Sequence, residues 1–244
     1  MNGGNRVAKG TRAMLDAEVR DKLMHTAVAT ISGELRRRGY PDMSIDGVHS
    51  RLPGSKLVGP ARTLRFVAYR PDLSDEYGSG YNAQKQAFDD LQAGDVLVIE
   101  ARQDPSTGTF GDVLALRAKV LGAAGIVSDG GVRDSAAVAG IGLPTFTQSV
   151  HPAVLGHRHV PWEMDTTITC GGVAVQPGDI VVGDDDGVVV IPAHLVVEVA
   201  DAAADQEKQD AWVAQRIAEG NPVEGLFPPT GRWKQEFDTW RESH

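Results

Sequence analysis

The stretch from residue 95 to 134 constrains this chain more than any other. An apolar run, DVLVIEA, leads through a polar, glycine-containing loop to DVLALRAKVL, then to a second apolar run, GIVS, and a pair of glycines. Parallel strands need a crossover of a dozen or more residues, normally a helix that covers the sheet, so this order predicts a parallel α/β unit. The expected elements are a strand over 95–101, a helix over 112–121, a strand over 125–128 and then a glycine turn.

The flanking segments extend this frame. Val19, Leu23, Val28, Ile31 and Leu35 recur at helical spacing and predict one amphipathic helix over 16–38, stopped by Gly39. Residues 63–69 have strand composition and 83–91 read as a short helix. After Pro144 the apolar runs shorten and are punctuated by Gly, Pro and Asp, which predicts strands at 145–148, 167–170, 173–175, 180–182 and 188–191. Pro192 then opens a long helix reaching about residue 219, and the remaining tail is expected to pack on a surface or a neighbouring subunit. The expected fold class is α/β with a central mixed sheet and N- and C-terminal helical extensions. Its expected parts are an N-terminal helical extension over 1–55, a catalytic α/β core over 56–192 and a C-terminal helix and tail over 193–244.

A formal net charge of −9 argues against a general phosphate-backbone binder, which needs clustered Lys and Arg, so nucleic acid is not an expected partner. The run Arg36–Arg38 reads instead as a solvated helix end complementing the dipole. No apolar segment approaches the roughly 20 residues a membrane span requires, so no membrane partner is expected. The opening MNGGNRVAKGTR lacks the apolar run of a signal peptide, and with a single cysteine, Cys170, this sets a cytoplasmic expectation. Cys170 reads as a small packed side chain.

Ligands in parallel α/β sheets collect beyond the carboxyl ends of the strands. The loop over 102–111 lies at such a place. Gly111 permits close backbone approach, and the helix that follows presents the amides of Val113 and Leu114 as an anion cradle. Asp112 opens this helix, and 20 residues separate it from Arg133. A helix, a turn and a short strand return the chain to the same sheet edge, so Asp112 and Arg133 can face one cavity. Arg133 suits a carboxylate or keto oxygen, and Asp134 is a hard oxygen ligand for Mg²⁺ or Mn²⁺. Such an ion would polarise a 2-oxo group, while Asp112 orients water or accepts a proton from a 4-hydroxyl. Taken singly, Asp112 is also an ordinary helix cap, and Arg133-Asp134 a surface pair capping a helix at Ser135.

FGDVLA at 110–115 and GIVSDGGVRD at 125–134, with CGGVAVQPGDIVVGDDDGVVVIP at 170–192, resemble the class II pyruvate aldolases acting on 4-hydroxy-4-methyl-2-oxoglutarate and 4-carboxy-4-hydroxy-2-oxoadipate. These belong to a wider family that includes the ribonuclease E activity regulators. The resemblance covers roughly residues 58–191 and implies a swivelling β/β/α-type domain in a homotrimer or homohexamer with its site between subunits. It also implies that the Gly111–Leu114 backbone holds the pyruvyl carboxylate, that Arg133 binds substrate, and that Asp134 ligates Mg²⁺ or Mn²⁺. The regulators characteristically lack the Asp after the Arg, so Asp134 favours catalysis. The implied activity is retro-aldol cleavage of a 4-hydroxy-2-oxo acid to pyruvate plus a carbonyl product, with oxaloacetate decarboxylation as a side activity. The alternatives are a regulator binding a ribonuclease or helicase and an aldolase for 2-oxo-3-deoxy sugar acids. The aldolases also recruit an acidic residue from a neighbouring subunit, for which Glu198, Glu207 and Glu224 are candidates.

Other features have plainer readings. His157 and His159 are spaced as strand neighbours on one face, suiting a polar strand face or subunit contact better than a metal pair. Asp184, Asp185 and Asp186 before Gly187 suit a tight turn. Lys119, two turns along the helix from Asp112, points away from the pyruvyl pocket, which disfavours a Schiff-base mechanism.

Overall fold

A computed structural model describes residues 15–243 of the chain. The expectation drawn from MNGGNRVAKGTR lies outside the described residues. In chain order the helices and strands are α1 (Ala17–Met24), α2 (Val28–Arg37), β1 (His49–Ser50), β2 (Leu57–Ala68), α3 (Pro71–Tyr77), α4 (Ala83–Asp89), β3 (Val96–Glu100), α5 (Asp112–Val120), β4 (Gly125–Val132), α6 (Ser135–Ile141), β5 (Thr145–Val150), β6 (His159–Met164), β7 (Ile168–Cys170), β8 (Val173–Val175), β9 (Ile180–Asp184), β10 (Gly187–Ile191), α7 (Val196–Ala218) and α8 (Gly231–Ser243).

The sheet runs β1-β5-β4-β3-β2-β9-β10, with β6 also paired to β2. Its centre, β2 to β5, is parallel, as the crossover argument requires, while β1, β6, β9 and β10 join antiparallel. The fold is therefore mixed α/β, of the swivelling β/β/α type. Strand β2 is long enough to bind β9 along its first half and β6 along its second, with a register shift between Arg65 and Phe66.

Side-chain alternation divides the core. On β3, Leu97 and Ile99 point to one face, where they pack with Phe88 of α4, Ala115 and Ala118 of α5 and Val138 of α6. Val96 and Val98 point to the other and meet Cys170 and Val175 of the small β7–β8 hairpin. Such a fully buried Leu or Ile contributes roughly 1.5–3 kcal/mol over an exposed one, and with both faces covered the strand reads as a continuous apolar run. Cys170 is buried as expected, and burial pushes its thiol pKa well up.

The expected single helix over 16–38 is broken at His25–Ala27. Its apolar spacing is sound, since Val19, Leu23, Val28, Ile31 and Leu35 are all buried against β9, β10 and α7. The break comes from distant partners. The Glu207 carboxylate accepts from the Ala27 amide at 3.0 Å and from Thr30 Oγ1 at 2.7 Å, and Asp184 accepts from the Val28 amide at 2.9 Å. These groups satisfy the first amides of a new helix, which a continuous helix would have spent internally. Arg37 and Arg38 at the end of α2 pair with Glu34, and Arg38 also with Glu198, so acidic side chains take up much of that basic run.

The tail beyond α7 forms its own helix, α8. Trp233 and Phe237 pack with Trp212 and Val213 of α7 and with Leu226 in an aromatic cluster separate from the sheet core. The paired-strand reading of His157 and His159 does not hold: His157 ends a 3-10 turn and is exposed, while His159 begins β6 and is buried. The acidic run is the β9–β10 turn, in which Asp184 opposes Gly187 and accepts from the Asp186 amide. Among the described residues no helix is long and apolar enough to cross a membrane.

Candidate functional site

Strand β4 extends to Val132, four residues past its expected end, and its glycine pair is strand rather than turn. The reason is a second partner. The loop after β3 turns back along β4, with Gly108 bridged to Gly131, the Thr109 amide donating to Gly131 O at 2.7 Å and the Arg133 amide to Phe110 O at 2.9 Å. On the other side the His151 amide donates to Val132 O at 3.0 Å. Glycine is required because the neighbours run so close. A methyl on Gly130 would meet Ala101 Cβ at 2.6 Å, and one on Gly131 would meet Thr107 O at 2.6 Å.

This packing seats Arg133 and Asp134 against the loop that leads into α5. Arg133, half-buried, lays its aliphatic stem over Gly108, where a methyl would lie 2.2 Å from Arg133 Cγ. Asp134 reaches over Gly111 in the same way, and a methyl there would meet Asp134 Oδ2 at 2.7 Å. Gly111 is the N-cap of α5, so Asp112, Val113 and Leu114 begin that helix beside Asp134. Asp112 Oδ1 accepts from the Val113 amide at 2.8 Å, which leaves Leu114 as the amide not engaged by that carboxylate. Asp134 occupies the N-cap position of α6 with φ 54°, yet its carboxylate makes no capping bond. A left-handed aspartate that does not cap is poorly explained by helix stability alone.

A cleft of about 600 Å³ adjoins this corner, lined by Arg133, Asp134, Ser135, Val150, His151 and Pro152; Asp112, Val113 and Leu114, expected to share a cavity with Arg133, are not among its lining residues. Lys119 lies apart from it, donating to Gly142 O at 3.0 Å.

Two further residues were not singled out from the sequence. Asp129 is buried in β4, where its carboxylate accepts from the amides of Ala101 and Gly171. It thereby ties the start of the site loop, with its left-handed Arg102 and Gln103, to the β7–β8 turn. Burial raises its pKa, opposed by those amides. An acidic residue inside an otherwise apolar strand run was the available signal. His151, just past β5, gave no signal, because only the strand order places it beside Arg133.

Among the described residues no group of three or more His, Cys, Asp or Glu side chains is placed to hold a metal. A hard divalent ion such as Mg²⁺ needs no such group, since it binds through one or two carboxylates and keeps water and substrate oxygens in its remaining positions. Asp134, a hard oxygen donor with clearance created by Gly111, fits that requirement.

A protein of Halalkalibacterium halodurans, named as a candidate 4-hydroxy-4-methyl-2-oxoglutarate aldolase, is 36% identical over 172 residues, which cover 66% of this chain and 74% of that protein. RraAS2 of Streptomyces coelicolor, described as an unusual member of the RNase ES inhibitor RraA protein family, is similar in structure with TM-score 0.75 and 34% identity, covering 82% of this chain and 97% of that one. A protein from Pseudomonas syringae pv. tomato shares the fold with TM-score 0.79 at 24% identity, over 92% of this chain and 99% of that one. The family model described as RraA-like, Aldolase/RraA, matches residues 17–190, a span that takes in α1 and α2 as well as the sheet. On that match the chain belongs to the RraA-like family, which joins aldolases and RraA proteins.

Proposed function

We propose that this protein is a divalent-metal-dependent aldolase that cleaves a 4-hydroxy-2-oxo acid to pyruvate and a carbonyl product, with oxaloacetate decarboxylation as a side activity. The observation that carries the reading is the seating of Arg133 and Asp134 on Gly108 and Gly111, beside Asp112 at the start of α5. In this reading Asp134 would hold Mg²⁺ or Mn²⁺. A bound divalent ion supplies Lewis-acid polarisation of the 2-oxo group. Arg133 binds the substrate carboxylate or keto oxygen, and the Leu114 amide, with that of Val113 when Asp112 turns away, supports the carboxylate at the helix N-terminus. Asp112, directly or through water, accepts the 4-hydroxyl proton as the C3–C4 bond breaks; its electron pair passes to C3, which is then protonated to give pyruvate.

The reading includes a trimer or hexamer in which a neighbour supplies an acid. Glu198 is paired with Arg38 at 2.8 Å and Glu207 is spent on α2. Glu224 is exposed between α7 and α8 and has no hydrogen-bond or ion-pair partner among the described residues, so it is the candidate retained. The 34% identity with RraAS2 supports a second reading, a regulator that binds a ribonuclease.

The test is a coupled pyruvate assay with Mg²⁺ or Mn²⁺ across branched dicarboxylic and sugar-derived hydroxy-oxo acids and oxaloacetate. Metal-dependent pyruvate release supports the aldolase. Its absence from every substrate would sink that reading and leave the regulator.

A further inference from the structure

We infer that His151 is a specificity-determining residue that donates a hydrogen bond from Nε2 to an anionic group on the substrate half that leaves as the carbonyl product. The inference rests on the aldolase reading for the identity of the pyruvyl end. Its own support is the geometry of the cleft. His151 lines the same cleft as Arg133, Asp134 and Ser135. Its backbone is held against β4, the amide donating to Val132 O at 3.0 Å, so the residue stands beside the Arg133 corner.

The ring is held as well. The Ala153 amide lies 3.1 Å from His151 Nδ1. A backbone N–H can only donate, so Nδ1 is the acceptor and the neutral ring carries its proton on Nε2. The tautomer is thus fixed by the chain, and the remaining function of the imidazole is that of a donor. Ser135 is a further donor in this cleft, while Arg133 is assigned to the pyruvyl end and Asp134 to the metal. A leaving half bearing a carboxylate meets these groups better than a neutral polyol does. Charge-assisted hydrogen bonds are about twice as strong as neutral ones, enough for about a tenfold preference.

The experiment compares binding of 2-oxoglutarate with that of 2-oxopentanoate, which has the same chain length without the distal carboxylate. Neither carries a 4-hydroxyl, so titration calorimetry in the presence of Mg²⁺ reads affinity without turnover. Wild type is expected to bind 2-oxoglutarate about tenfold more tightly. His151→Asn keeps an acceptor for the Ala153 amide and removes the distal donor, so it should lose that preference with little change for 2-oxopentanoate. His151→Gln, which restores a distal N–H, should recover part of it. A preference that persists in His151→Asn, or that wild type lacks, overturns the assignment while leaving the oxo-acid site standing. Failure of wild type to bind either acid would overturn the underlying aldolase reading together with it.

Discussion

The Asp134 carboxylate lies directly over Gly111, so close that a methyl group there would sit 2.7 Å from Oδ2. The proposed metal ligand and the cap of the proposed substrate helix are therefore in contact across 23 positions of sequence. Gly111 has φ −138°, an extended conformation open to any residue. Its restriction is the carboxylate, not the backbone.

Gly111→Ala should therefore fold normally and displace Asp134. The expected result is Mn²⁺ affinity about 10–100-fold weaker, the scale seen when the support of a ligand is altered. Mn²⁺ titration followed by electron paramagnetic resonance, alongside thermal unfolding, separates this from general destabilisation.

Asp134→Gly removes the ligand and also relieves a left-handed non-glycine residue, φ 54°. Metal-dependent turnover should vanish while stability holds or rises by up to about 1 kcal/mol. Denaturant unfolding together with the pyruvate assay checks both halves. Loss of stability would contradict the view that this conformation is kept for function.

Glu224→Gln tests the neighbour's acid. It changes no contact within the described residues, so the melting temperature should stay within about 1 °C while kcat falls at least about tenfold, on the scale of general acid–base effects. An unchanged kcat would return the choice to other acids.

His159 is buried against Phe66, their rings 5.8 Å apart, and neither ring nitrogen makes a hydrogen bond. Burial lowers its pKa from 6.5 to about 4, with Asp104 opposing. The unfolded chain then takes up a proton that the folded chain refuses, so stability is full above pH 6.5 and is lost as pH falls toward 4, by roughly 2–3 kcal/mol. The raised carboxyl of Asp129 acts in the opposite sense. His159→Phe keeps the stacking and removes the titration. The difference in unfolding free energy between variant and wild type should therefore grow from pH 7 to pH 4.5, and a constant difference would refute the assignment.

Glu207→Ala removes the acceptor for the Ala27 amide and Thr30 Oγ1. A lost helix cap costs about 0.5–2 kcal/mol, so chemical denaturation should show a shift of that size.

What the sequence determined by itself was the local part. The unbroken apolar runs VLVI and GIV and the length of chain between them are local properties, so β3, the start of β4 and the crossover helix α5 were legible, as was the spacing of Asp112 from Arg133-Asp134. Tertiary structure decided whatever depends on a partner far along the chain. The break before α2 is made by groups 180 and 156 residues away. Strand β4 runs on past Ser128 because a loop pairs with it, and His151 joins the cleft because β5 neighbours β4. Hydrogen-bond partners and strand order are set by how the whole chain packs, and no local period records them.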